Sequence, residues 1–280
     1  MNEMVNLLQQ TKHLLKRYRV FPRKRLGQNF VVDRFFLNLL VNYADIAPED
    51  IVLEIGSGLG YLTEILIRKA KKVIAVEIDP RLVRVIRKRL SGIENVEIVQ
   101  GDILKMEIKD FDKVVSTPPY SISSPILFWL LERPFKLAVL TFQKEFAERL
   151  NAASGSEDYC RLTVMTYYKA EVELLDLVPK EAFYPPPEVD SIIVRIKPRR
   201  NPPFFVKDER VFRDVVRVLF TQRNKKVKNA ILQFFREHEI GKQEAQKLAA
   251  SLPFHEKRVR ELAPEDFGEI ANEISEKVVL

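Results

Sequence analysis

Five short runs rich in β-branched and apolar residues dominate the first half of the chain: "IVLEI" at 51–55, "KVIAVEI" at 72–78, "VEIVQ" at 96–100, "KVVST" at 113–117 and "KLAVLTF" at 136–142. Stretches whose apolar residues recur at helical spacing, at 60–70, 80–90 and 124–131, lie between them. Strands that alternate with helices are joined by right-handed crossovers, and the sheet they form is mostly parallel and covered on both faces. The expected fold class is therefore α/β, with any ligand held at the carboxyl ends of the strands.

Two later runs, "RLTVMTYYKAEVELLDLV" at 161–178 and "SIIVRIKP" at 191–198, read as longer strands that close the sheet as an antiparallel edge pair. The intervening "PPPEVD" cannot join a ladder because proline lacks the donor. After "KPRRNPPFF" at 197–205 the strand pattern stops. "VFRDVVRVLF", "KVKNAILQFFREH" and "KQEAQKLAASL" have helical spacing, which predicts a catalytic domain over residues 1–200 and a small all-α domain over 201–280.

The 280 residues, 46% hydrophobic and 30% charged, have the balance of a soluble globular protein. No apolar run reaches the roughly 18 residues that span a bilayer, so a cytoplasmic protein without membrane contact is expected. Cys160 is the sole cysteine, which excludes an internal disulfide and a thiolate cluster, and no metal is expected. The net charge of +7 suggests a polyanionic partner. Residues 1–28 contribute Lys12, Lys16, Arg17, Arg19, Arg23, Lys24 and Arg25 against one acid, Glu3.

Three features mark a nucleotide site. In "LEIGSGLGYLTEIL" the first strand runs into Gly56, Gly58 and Gly60, glycines that permit left-handed backbone and close approach of a ligand. Glu77 ends the second strand, where a carboxylate can accept both hydroxyls of a ribose. Asp102 ends the third, where it can accept from an adenine amino group or simply cap a turn. A dinucleotide fingerprint requires a small residue at position 61, which is Tyr61. Spacing of G-x-G-x-G after an acid is the pattern of S-adenosylmethionine-dependent methyltransferases.

The fourth strand ends in "VVSTPPYSISSP". Proline stiffens Thr117, Pro118 and Pro119 into a non-helical segment whose carbonyls are spared from a ladder, and Tyr120 adds a flat ring. Acceptors beside a ring suit a planar exocyclic amine, which they orient while stabilising positive charge developing on nitrogen.

In their order along the chain these motifs resemble the ribosomal RNA adenine N6,N6-dimethyltransferases, whose bacterial members are the kasugamycin-resistance methyltransferases. The resemblance runs through "LGQNFVVD", "EIGSGLGYLT", "VEIDPRL", "GDIL", "PYSISSPILF", "FQKEFAERL", "RLTVMTYY", "AFYPPPEVDSIIVRI" and "TQRNKKVKNAIL". It implies a Rossmann-like class I methyltransferase sheet and dimethylation of two adjacent adenosines near the 3′ end of small-subunit ribosomal RNA. The implied partner is the immature small ribosomal subunit. Nothing in the sequence demands a second copy of the chain, so a monomer is expected. Position by position, it assigns Gln28, Asn29 and Val31 to the methionine end of S-adenosylmethionine, with Gly56 and Gly58 in the glycine turn. Glu77 is assigned to the ribose and Asp102 to the cofactor adenine. Tyr120 and Phe183 are assigned to the two faces of the target base, and Arg223, Lys225, Lys226 and Lys228 to phosphates.

One position departs from the family's pattern. Where the family has Asn-Leu-Pro-Tyr or Asn-Ile-Pro-Tyr, this chain has Thr117-Pro118-Pro119-Tyr120. A threonine hydroxyl is shorter than an amide and is no planar carbonyl acceptor. Removing one well-placed transition-state acceptor costs about 2.7–4 kcal/mol. Either the Pro118 carbonyl does most of the orienting, or the chain is an assembly factor for the small subunit with weak or absent catalysis. A large-subunit ribosomal RNA methyltransferase on the same fold is the third reading.

Overall fold

The computed structural model describes residues 7–278. In chain order its helices and strands are α1 (Leu7–Arg17), β1 (Phe30–Val31), α2 (Arg34–Tyr43), β2 (Ile51–Ile55), α3 (Tyr61–Leu66), β3 (Lys72–Glu77), α4 (Pro80–Arg89) and β4 (Val96–Gln100). Next come β5 (Lys113–Ser116), α5 (Ser123–Leu131), β6 (Leu137–Gln143), α6 (Lys144–Leu150), α7 (Arg161–Lys169), β7 (Ala170–Val178), β8 (Phe183–Tyr184) and β9 (Ser191–Pro198). The remainder is helical: α8 (Glu209–Phe220), α9 (Val227–Ala230), α10 (Leu232–Glu237), α11 (Lys242–Ser251) and α12 (Pro264–Lys277). No helix among the described residues is long and apolar enough to cross a membrane.

Seven strands form one sheet in the order β4-β3-β2-β5-β6-β9-β7. The pairs from β4 through β6 are parallel and β6 with β9 is antiparallel, which makes the sheet mixed but mostly parallel. Its central strands are buried on both faces, so Val52, Leu53, Val73, Ala75, Val114 and Val115 form nearly continuous apolar runs. From β2 the chain winds outward through β3 to β4, then returns to place β5 on the other side of β2. The carboxyl ends of β2 and β5 therefore flank the point where strand order reverses, the natural crevice of such a sheet. A second, two-stranded sheet pairs β1 with β8, Phe30 opposite Tyr184 and Val31 opposite Phe183.

Local chemistry explains the elements around that crevice. Asp79 caps α4 by accepting the Arg81 N–H at 3.0 Å, Pro80 supplies the first helical residue, and Arg87, Lys88 and Arg89 complement the dipole at the last turn. Leu82, Val83, Val85 and Ile86 form its buried face. At the start of α2, Asp33 accepts from the N–H groups of Phe35 and Phe36.

The described residues divide into two compact units. One consists of the chain up to Ala147 with Val172–Pro198, and the other of Glu148–Glu171 with the chain from Arg199 onward. The helical unit thus takes in a segment that the sequence assigns to the sheet, and "RLTVMTYYKAEVELLDLV" is not one long strand. Its first half is the helix α7, and only from Ala170 does it extend as β7. Leu162, Thr163, Val164, Met165, Thr166 and Tyr168 are all buried, and a helix buried over most of its surface has little periodicity to distinguish it from a buried strand. The Tyr168 ring packs 5.0 Å from Phe204 and 4.9 Å from Phe212, and the Thr163 hydroxyl donates to the Arg149 carbonyl at 2.6 Å. These contacts hold α7 to the helices.

Candidate active site

Every residue that the sequence nominates for cofactor or target base lines one pocket at the crevice: Gln28, Asn29 and Val31 at one side, Gly56, Gly58, Glu77 and Asp102 across the strand ends, and Thr117, Pro118, Tyr120 and Phe183 at the other. All belong to the sheet unit. The turn after β2 makes the enclosure tight. Gly56 and Gly58 have φ of 78° and 56°, and a Cβ on them would stand 3.3 Å from Pro119 Cδ and 3.4 Å from Phe30 Cδ1 respectively. The backbone of the turn is thus in contact with the proline segment on one side and with β1 on the other.

Two carboxyl groups lie at the floor. Glu77 is 5% exposed, yet both of its oxygens are engaged: Oε2 accepts the Gly58 N–H at 2.9 Å and Oε1 the Asp79 N–H at 2.8 Å. Burial pushes its pKa up, and these backbone donors oppose the shift. Each oxygen retains a lone pair for a further donor. Glu54, 2% exposed, accepts the Thr63 hydroxyl at 2.6 Å, and burial raises its pKa to about 8, with the nearby Glu77 adding repulsion.

A folded-state pKa above the unfolded one means that the native chain binds more protons between the two values, so stability falls as pH rises through that window. Glu54 is expected to give a decline of up to about 1.4 kcal/mol per pH unit between roughly pH 4.5 and 8. Urea melts across this range check it: in Glu54→Gln the decline should flatten, and an unchanged slope would assign it to other groups.

Asp102 performs the capping role the sequence allowed, accepting the Leu104 N–H at 3.1 Å through Oδ1, and it also borders the pocket. Its other oxygen lies 3.9 Å from Lys105 Nζ. Gln28 bridges: its Oε1 accepts the Arg23 N–H at 2.8 Å, and its Nε2 donates to Asp79 Oδ2 at 3.0 Å. Asp79 has no counterpart among the sequence-nominated residues, although "EIDP" places it two positions after Glu77. The Ser57 hydroxyl, buried in the pocket wall, has no partner among the described residues and offers a donor to whatever fills the space.

On the opposite wall, Ser116 ends β5 by donating to the Ile55 carbonyl at 2.5 Å, tying the proline segment to the glycine turn. Of the segment's carbonyls, that of Pro119 accepts the Ile122 N–H at 3.1 Å. Among the described residues the Pro118 carbonyl and the Thr117 hydroxyl have no partner, so both acceptors are available. Tyr120 is braced by a 2.7 Å hydrogen bond with Ser191, and burial raises its pKa to about 12, which keeps it a neutral phenol. Phe183 lies edge-on to Tyr120, centroids 6.2 Å apart at 72°, and edge-on to Phe36 at 5.7 Å. It is 4% exposed. In this arrangement no slot separates the two rings: a base can stack on one ring with the other as a wall, and a sandwich requires one ring to turn.

Most of the cations at 221–229 are engaged within the chain. Arg223 donates to the carbonyls of Glu157 and Ser156, at 2.6 and 2.8 Å, while Lys226 and Lys228 both pair with Glu256. Lys225 remains exposed. The sequence window contains no acid, and the fold brings Glu256 in from 28 residues beyond Lys228.

A profile of the family described as ribosomal RNA adenine dimethylase matches residues 21–276. A probable ribosomal RNA small subunit methyltransferase A from Methanosarcina mazei is 46% identical over 94% of this chain and 96% of its own length. The protein of the same name from Methanothermobacter thermautotrophicus is 41% identical over 98% of both. Among solved structures, a dimethyladenosine transferase from Plasmodium falciparum superposes with a TM-score of 0.76 at 32% identity, covering 89% of this chain and 98% of that one. The 23S rRNA methyltransferase ErmE gives 0.64 at 31% identity, covering 88% and 100%.

Proposed function

Because the chain belongs to the ribosomal RNA adenine dimethylase family, we infer that it uses S-adenosylmethionine to dimethylate N6 of two adjacent adenosines near the 3′ end of small-subunit ribosomal RNA. It does so as a single chain acting on the assembling subunit in the cytoplasm. The small subunit is favoured over the large one by the relatives named for it, which are more similar than the 23S enzyme. One observation carries the reading: the turn that borders the cofactor site and the segment that borders the amine site meet at Gly56 and Pro119, so donor and acceptor share a wall.

The pocket suits the cofactor. Glu77 has a lone pair on each oxygen for the two ribose hydroxyls, Asp102 takes the adenine amino group, and Gln28, Asn29 and Val31 border the methionine end. S-adenosylmethionine supplies a methyl group on positively charged sulfur, already activated for transfer. The chain's own task is orientation. Pro118 and Thr117 accept from the two N–H bonds of the target amine, Tyr120 stacks on the base, and Phe183 walls it in. Holding acceptors where positive charge develops on nitrogen favours the transition state over the ground state. The base leaves any stack to enter, which is cheapest in a loop.

Incubation of unmethylated small subunits and, in parallel, of large-subunit RNA with tritiated S-adenosylmethionine tests the reading, with the labelled nucleotides then mapped. Label in two neighbouring adenosines supports it. Label confined to large-subunit RNA overturns the substrate, and tight binding without label makes the chain an assembly factor. Thr117→Asn is expected to raise the methylation rate about 3- to 10-fold, because an amide oxygen is a better acceptor than a hydroxyl in a dry site. A lower rate would mean that the segment is tuned to threonine.

A further inference from the structure

The seven cations of the N-terminal segment differ from those at 221–229. Lys12, Lys16, Arg17, Arg19, Arg23, Lys24 and Arg25 are all exposed, and none has a carboxylate partner among the described residues. Phe21, 76% exposed, lies within this group. The stretch Phe21–Gln28 then runs directly into the pocket rim at Gly27, Gln28 and Asn29. A flexible basic stretch would hold neither RNA nor Gln28 in a fixed place, so what fastens it matters.

The fastening is a compact polar chain. The Arg81 guanidinium forks onto Asp79, with Nε at 3.0 and 3.2 Å from the two oxygens and Nη2 at 2.5 Å from Oδ2. The same Nη2 donates to the Phe21 carbonyl at 3.3 Å. Asp79, its side chain fully buried, also accepts from Gln28 and gives its own N–H to Glu77. The Arg81 charge holds the Asp79 carboxyl far below the usual range, so the fork persists at any working pH. From Phe21 to Glu77 there is thus an unbroken line of hydrogen bonds.

We propose that Arg81 is a positioning residue: clamped on Asp79, it pins Phe21–Gln28 to the cofactor floor, so that the element presenting free cations and Phe21 to RNA is ordered together with the methionine end of the cofactor site. The role assigned to RNA and cofactor rests on the function proposed above; the pinning does not. Two ligands that need the same segment ordered share that cost.

The test compares Arg81→Ala with Arg84→Ala, which removes the same charge from an exposed position on the same helix. Trypsin without cofactor reads the anchoring directly, since Arg23, Lys24 and Arg25 are its sites. Cleavage there should be about 5-fold faster in Arg81→Ala than in Arg84→Ala. Binding of S-adenosylhomocysteine should weaken about 10-fold, the KM for S-adenosylmethionine should rise similarly, and kcat at saturation should stay within about 2-fold. Arg81→Lys, which keeps a charge beside Asp79 but lacks the fork, should be cut at an intermediate rate and guards against misfolding of the alanine variant. Equal cleavage in Arg81→Ala and Arg84→Ala overturns the proposal, as does an unchanged KM with a lowered kcat. Because the cleavage needs neither cofactor nor RNA, an error in the substrate assignment leaves that comparison standing.

Discussion

Glu77→Gln is expected to weaken S-adenosylhomocysteine binding by about 100-fold, read by calorimetry, while the chain stays folded. The carboxylate accepts two backbone N–H groups, from Gly58 and Asp79, and has one lone pair per oxygen left over. An amide of the same size has one accepting oxygen and one NH2, so it loses the bond to a ribose hydroxyl on one side and faces a backbone donor with another donor. A hydrogen bond to a charged group is worth about 1.5–3 kcal/mol, and an orphaned buried N–H costs about 1–3 kcal/mol. The first sum falls on ligand affinity, the second on stability. Thermal melts without ligand separate the two, and an unchanged affinity would remove Glu77 from the cofactor site.

Tyr120→Ala should behave in the opposite manner, with methyl transfer reduced about 10- to 100-fold and cofactor affinity nearly unchanged. Loss of a base-stacking ring costs about 1–3 kcal/mol. The ring is held by the Ser191 hydrogen bond and by the edge of Phe183. Tyr120→Phe keeps the ring and loses only the bond to Ser191, so it should retain most of the activity, within about 5-fold. Equal losses in both variants would move the function from the ring to the hydroxyl.

The residues that bound the pocket were legible because a parallel sheet puts its ligands at strand ends, and strand ends carry local marks: glycines after β2, an acid at the end of β3, "GD" after β4, prolines after β5. What depends on distant neighbours was not legible. Glu256 pairs with both Lys226 and Lys228 from outside their window. The helix α7 has strand-like composition because most of its residues are buried. Strands of two residues, as in β1 and β8, are too short for any period to register. Phe183 was nominated by its motif, but its edge-on setting against both Tyr120 and Phe36 is a property of packing alone. Asp79 was in plain view as a helix cap, and its second partner Gln28 lies 51 residues away.

The β1–β8 ladder sets one further condition on this chain. Val31 and Phe183 both line the pocket, and they are direct partners on one of the ladder's two rungs. The distance between these two wall residues is therefore set by backbone pairing, whose spacing a side-chain exchange leaves in place. So short a ladder has only its register to fix it, and a single residue gained or lost on either side would give Phe183 a different partner in place of Val31. Substitution along these strands is a matter of degree, whereas a change of length is all or nothing.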